Sequence, residues 1–178
     1  MIGVMRNEDL VLKVFHSEDL RKRVEKYDAF LDLIFDDEYY FLREAAYNIL
    51  YFLFSKSYSS IADLAKENFQ ENSKLAQRYG SLQKMLSSLQ MPDKKCCTVD
   101  LATGTGKSFL IYAIAQIAMH EDLVDQVLVL CPSVTIETGL IDKFNQFAGS
   151  KDLRDALPNG KNIVPRIITL CHIIPFFT

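Results

Sequence analysis

From Leu20 to Leu89 the apolar residues recur at steps of three and four, the period of helices with one buried face. Ser17-Glu18-Asp19 reads as a helix start, with acids against the positive end of the dipole. Leu20, Val24, Tyr27, Leu31 and Ile34 continue it as a single stripe. Tyr39 to Phe54 is apolar on nearly every side, which predicts a deeply packed helix. Ser60-Ile61-Ala62-Asp63 has capping-box spacing and opens a third helix through Phe69. Leu75, Tyr79, Leu82, Leu86 and Leu89 mark a fourth, with Gly80 as an unfavourable interior residue.

At Pro92-Asp93 the pattern changes. Cys96-Cys97-Thr98-Val99 reads as a short strand ahead of a glycine-rich turn. Phe109, Ile111, Ile114, Ala115, Ile117 and Ala118 then give a helix its core face. Val127-Leu128-Val129-Leu130-Cys131 is apolar at each position, as suits a parallel strand covered on both faces. Ile136, Leu140, Phe144 and Phe147 mark another helix, and Ile163 to Leu170 a third strand. Strand, helix, strand, helix, strand predicts an α/β fold with a parallel sheet and right-handed crossovers.

The composition narrows the class. With 178 residues, 49% hydrophobic and 24% charged, the chain can bury a core and is not compositionally disordered. A net charge of -3 lacks the basic footprint of a self-sufficient nucleic-acid-binding domain. Cys96, Cys97, Cys131 and Cys171 sit in or beside apolar runs without metal-ligand spacing, and read as reduced core thiols of a cytoplasmic protein. His16, His120 and His172 also lack metal spacing. The most apolar stretch, Ala45 to Phe54, falls short of the roughly 20 residues that cross a bilayer, and the amino terminus is too acidic for a signal peptide.

The chemistry concentrates at Thr103-Gly104-Thr105-Gly106-Lys107-Ser108. Phosphate oxygens need converging backbone N–H groups at a close approach that side chains would block, and Gly104 and Gly106 permit it. Lys107 offers a charge to the β- and γ-phosphates, and the Ser108 hydroxyl a ligand to Mg²⁺. The helix that follows adds its free N–H groups and the positive end of its dipole. The expected ligand is ATP with Mg²⁺, bound by Thr103 to Ser108, with Lys107 and Ser108 serving catalysis. A strict G-x-x-x-x-G-K-[ST] pattern fails at its first position, which is Leu101.

With that departure, Leu101 to Ser108 resembles motif I of superfamily-two helicases, in the Ala-Thr-Gly-Thr-Gly-Lys form of restriction-enzyme motor subunits. Leu130-Cys131-Pro132-Ser133-Val134, followed by Glu137 to Phe144, resembles motif Ia of the type III restriction enzyme Res subunit family. The resemblance implies a partial RecA-like P-loop NTPase sheet, residues 94–178, preceded by an all-helical region, residues 1–93. It implies a DNA-dependent ATPase or translocase acting on double-stranded DNA, in a restriction-modification setting that can include a methyltransferase subunit. By the same resemblance Pro132, Ser133 and Val134 approach the DNA backbone; the plain alternative is a Pro-Ser turn that starts a helix. Leu42 stands where the family carries an adenine-reading Gln, and Arg43 is either its partial substitute or a solvated helix charge.

Hydrolysis also requires an acid pair on a later strand. No apolar run ending in two acids follows Ser108, and Leu33 to Glu38, which has that form, precedes the turn on a helical stripe. The chain ends on Ile173-Ile174-Pro175-Phe176-Phe177-Thr178, which reads as an interruption of a longer motor. The first expectation is therefore an ATP-binding part of a Res-like motor with little turnover alone. The alternatives are a non-enzymatic nucleotide-binding module that docks a partner, and a P-loop ATPase of another class, AAA-type or transport.

Overall fold

The computed structural model describes residues 11–35, 39–102, 104–158 and 166–167. Among them are nine helices: α1 Glu18–Glu25, α2 Asp28–Ile34, α3 Tyr40–Phe54, α4 Ile61–Glu71, α5 Ser73–Tyr79, α6 Leu82–Ser87, α7 Lys107–His120, α8 Val134–Gly149 and α9 Lys151–Asp155. The chain divides into two compact units, one of Met1–Val24 with Glu44–Leu101, the other of Glu25–Arg43 with Ala102–Thr178.

In the first unit α4, α5 and α6 pack together. Ser60 caps α4 as its spacing predicts, its hydroxyl accepting from the Asp63 N–H at 3.3 Å. The Ser59 hydroxyl, ahead of Lys66, holds the Asp63 carboxyl well below the usual carboxylate range. The fourth predicted helix is two: Gly80 takes φ 72° as the left-handed cap of α5, and Ser81 then caps α6. Met85, Leu75 and Ala65 form the resulting core. Buried Asn68 pairs both backbone groups of Lys13, accepting from its N–H at 2.7 Å and donating to its carbonyl at 2.8 Å. That amide ties the extended 11–16 segment to α4 and leaves no buried polar group of Asn68 unmatched.

Helix α3 buries Ala46, Leu50 and Phe54 at steps of four, with Phe52 beside them. Its terminal carbonyls need donors from outside the helix. Lys95 supplies them, donating from Nζ to Phe52, Leu53 and Ser55 at 3.2, 3.0 and 2.8 Å. Burial, and then the nearby Arg23 charge, push the Lys95 ammonium down from its ordinary range.

In the second unit α7 packs against α2 and α8, and α9 against α2 and α8. The core draws Phe30, Leu31 and Ile34 from α2, and Leu110, Tyr112, Ala113 and Ile117 from α7. Tyr112 meets Phe144 and Phe147 of α8 at ring separations of 5.4 and 5.0 Å. A polar knot closes the far end of α7. The Tyr27 hydroxyl donates to Glu121 Oε1 at 2.7 Å and shares a 2.7 Å hydrogen bond with His120 Nδ1. His120 Nε2 donates to the Pro158 carbonyl at 2.8 Å, and Lys26 pairs with Glu121. Tyr27 is fully buried, so Tyr27→Phe removes one hydrogen bond each from His120 and Glu121 in a desolvated setting. It is expected to lower stability by about 1–3 kcal/mol, read from the urea unfolding midpoint, whereas an exposed Tyr→Phe change would be near neutral.

The expected α/β fold, a partial RecA-like parallel sheet, is not what forms. No residue among those described is in a strand. Residues 96–102 and 124–131 have no regular secondary structure, and the third expected strand, Ile163 to Leu170, lies almost wholly outside the described residues. The physical reason lies in the helices. A strand gains its hydrogen bonds only from neighbouring strands, whereas a helix satisfies its own. Helices α2 and α7 bury most of their large apolar residues by packing on one another, and α7 also packs on α8, so those faces do not cover a sheet. Leu128 and Leu130 consequently stand 67% and 78% exposed, the reverse of a doubly covered strand. The face of α7 rotates with this packing: Ile111 is exposed, and Leu110, Tyr112 and Ala113 are inside. Cys97 is exposed, and Cys96 and Cys131 are half-buried, in place of the expected core thiols. The predicted single stripe at 20–34 is broken between α1 and α2 at Lys26-Tyr27.

Candidate functional site

The glycine-rich turn is built as a turn opening a helix, without the strand expected before it. Gly104 and Gly106 both adopt φ 83°, in the left-handed region where only glycine is unstrained. Gly106 is the residue at which α7 begins, with Lys107 and Ser108 in its first turn. The Phe109 N–H bonds back to the Gly106 carbonyl at 2.9 Å and tightens that start. Thr103 lies outside the described residues.

Two side chains fold back over the turn. Lys107 donates from Nζ to the Ala102 carbonyl at 2.6 Å, and the Thr105 hydroxyl donates to the same oxygen at 2.7 Å. The ammonium group is thereby held against the backbone of the turn. Lys107 is exposed and Ser108 half-buried. An anion approaching this turn meets a cation and a helix N-terminus.

Behind the turn the surroundings are apolar. A Cβ on Gly106 would lie 2.9 Å from Phe109 Cδ2 and 3.0 Å from Leu42 Cδ1, so the backbone rests directly on those side chains. Leu42 is fully buried and serves as packing beneath the turn. Arg43 pairs with Asp32 of α2. The Phe109 ring in turn meets Tyr39 at 5.8 Å and Phe147 at 5.4 Å.

Pro132, Ser133 and Val134 form the start of α8. Ser133 is its N-cap, accepting from the Ile136 N–H at 3.4 Å, and Val134 is 75% exposed. The structure does not bring these residues to the glycine turn. It is the other end of α8 that meets the first turns of α7, through Phe144, Phe147 and Lys143. At about 1.5 Å of rise per residue, Ser133 stands about 15 Å along the helix from Lys143. Lys143 is the charged group that sequence reasoning passed over, its Nζ lying 4.2 Å from the centre of the Phe109 ring. Only a reading that paired α8 with α7 in this register would have found it. Asp36, Asp37 and Glu38 lie outside the described residues. Among the described residues no group of three His, Cys, Asp or Glu is placed to hold a metal ion, and no helix is long and apolar enough to cross a membrane.

The family model for the type III restriction enzyme, res subunit, matches residues 74–168, more than half of the chain. The match puts the chain in a helicase- and ATPase-like class of proteins. The chain belongs to the type III restriction enzyme Res subunit family. The match begins in α5, well upstream of the glycine turn, so α5 and α6 fall within the family region along with α7 and α8. No curated protein and no solved structure matches the chain.

Proposed function

We propose that this chain binds ATP with Mg²⁺ at the Gly104–Ser108 turn, as the nucleotide-binding part of a DNA-dependent helicase-type translocase. The observation that carries the reading is the Lys107 ammonium, folded back onto a turn that two left-handed glycines shape at the start of α7. Lys107 would take the β- and γ-phosphates, the first N–H groups of α7 the oxygens nearest the turn, and Ser108 the metal. Mg²⁺ supplies charge neutralisation between the phosphates, and the chain's own part is to bind and orient them. Thr103 completes the turn in this reading. Membership of the Res subunit family supports the motor class, double-stranded DNA as partner, a modification methyltransferase as companion subunit, and a cytoplasmic setting. Residues 94–178 carry the nucleotide turn, with the helices of residues 1–93 as an accessory region. Pro132 to Val134 would contact DNA phosphate through the open N-terminal turn of α8.

Turnover provides the test. The acid pair that orients the attacking water ends an apolar run, and the sequence after Ser108 has no such run. This chain alone is expected to bind Mg·ATP while releasing phosphate no faster with double-stranded DNA than without it. DNA-stimulated release that Ser108→Ala abolishes would show that the chain carries water-orienting acids of its own.

A further inference from the structure

The chain is acidic overall, yet its charge is unevenly placed. Residues 72–95 carry five basic side chains, Lys74, Arg78, Lys84, Lys94 and Lys95, against one acid, Asp93, in a chain of net charge -3. Most of this stretch is α5 and α6, which pack on α4 and turn Leu75 and Met85 inward onto Ala65. Lys74, Arg78 and Lys84 are exposed on the solvent side of the same helices. Lys74 and Arg78 stand four residues apart in α5, one above the other on one face. Lys84 follows in α6, beyond a connection of only Gly80 and Ser81. Lys94 pairs with Asp93 at 3.2 Å and Lys95 caps α3, so the other three are the outward cations. Of the acids on neighbouring α4, Asp63 pairs with Lys66 and Glu67 accepts from the Tyr58 hydroxyl; Glu71 is the third.

From Lys74 to Lys84 no large apolar side chain is exposed, whereas the Gln77 and Gln83 amides are. A helix that lies on a membrane sets its cations beside apolar groups that enter the lipid. A phosphate backbone instead takes cations interleaved with amide and hydroxyl donors, and this face has that composition. We propose that the outer face of α5 and α6 is an interface for the phosphate backbone of double-stranded DNA, with Lys74, Arg78 and Lys84 as its cations. It grips phosphates and so holds the duplex without sequence preference. The choice of DNA as the polyanion rests on the translocase reading above; the face itself does not depend on the nucleotide turn.

The experiment is a fluorescence-anisotropy titration of the full chain with a labelled duplex, without nucleotide, at several salt concentrations. One variant changes Lys74, Arg78 and Lys84 to Gln; a charge-matched control changes exposed Lys22, Lys56 and Lys151 to Gln. Gln keeps the helix propensity of Lys and Arg, so the fold is retained. Each phosphate contact contributes about 0.9 to the slope of log affinity against log salt, so the face variant should lose about 2.7 from that slope. Its affinity at low salt should fall at least about tenfold, with the control close to wild type. Equal losses in the two variants, or no loss in the face variant, would overturn the interface. A wild-type chain that binds no duplex would overturn it too, and binding to phosphatidylserine–phosphatidylcholine vesicles in that case would make the partner a membrane. Mg·ATP titration of the same proteins keeps the two readings apart. If wild type binds no Mg·ATP, the nucleotide site falls and the duplex titration still decides the face.

Discussion

Lys107→Ala should weaken Mg·ATP binding by at least about tenfold. A charge-assisted hydrogen bond to phosphate contributes about 1.5–3 kcal/mol, and each 1.4 kcal/mol is a factor of ten. Lys107 is exposed in the unliganded turn, and its bond to the Ala102 carbonyl must be given up on binding, so the lower end of that span applies. Stability should barely change, because an exposed lysine on a helix start is a surface substitution. Matching unfolding midpoints with a tenfold drop in affinity would separate loss of the phosphate contact from loss of the fold. Equal affinities for the two proteins would remove Lys107 from the site.

Gly106→Ala should be the most disruptive single change at the turn, and Gly104→Ala is its control. The two glycines share φ 83°, so the left-handed strain of about 1–2 kcal/mol is common to both. They differ in surroundings. A Cβ on Gly104 meets nothing within 4 Å, whereas one on Gly106 meets Phe109 at 2.9 Å and Leu42 at 3.0 Å. Leu42 is fully buried, and Phe109 is wedged among Tyr39, Phe147 and Lys143, so neither can give way freely. Overpacking of this kind costs about 1–3 kcal/mol. Denaturant unfolding should show Gly106→Ala destabilised by about 2–5 kcal/mol and Gly104→Ala by about 1–2 kcal/mol. Equal losses would mean that the turn does not rest on Leu42 and Phe109.

Local signals in the sequence proved readable where the physics is local. Ser60 caps α4 at the predicted residue, and Ser133 caps α8 as in the plain alternative of a Pro-Ser turn, because a cap needs only a hydroxyl and the N–H three residues on. Helix α3 runs from Tyr40 as its apolar pattern requires, and Gly80 ends a helix because the left-handed cap suits it better than an interior position. The start of α7 just after the glycines was likewise legible, though the strand expected before them was not. The strands were not. A continuous apolar run such as Val127 to Cys131 has no period of its own, and whether it pairs depends on partners distant in sequence. Lys143 was hidden for the same reason: its place over Phe109 depends on how α8 lies on α7. The pairing of Arg43 with Asp32 likewise depends on how α3 meets α2.

The central claim is that this turn binds phosphate, and calorimetric titration of the wild-type chain with Mg·ATP, set against adenosine, tests it most directly. Behind the turn lie Leu42 and Phe109, and the charged groups lie on the turn itself, so affinity should reside in the phosphates. The account predicts saturable binding of Mg·ATP, competed by magnesium pyrophosphate, with adenosine weaker by at least about tenfold, the effect expected for even one charge-assisted contact. No binding of Mg·ATP, or adenosine bound as tightly as ATP, would contradict it.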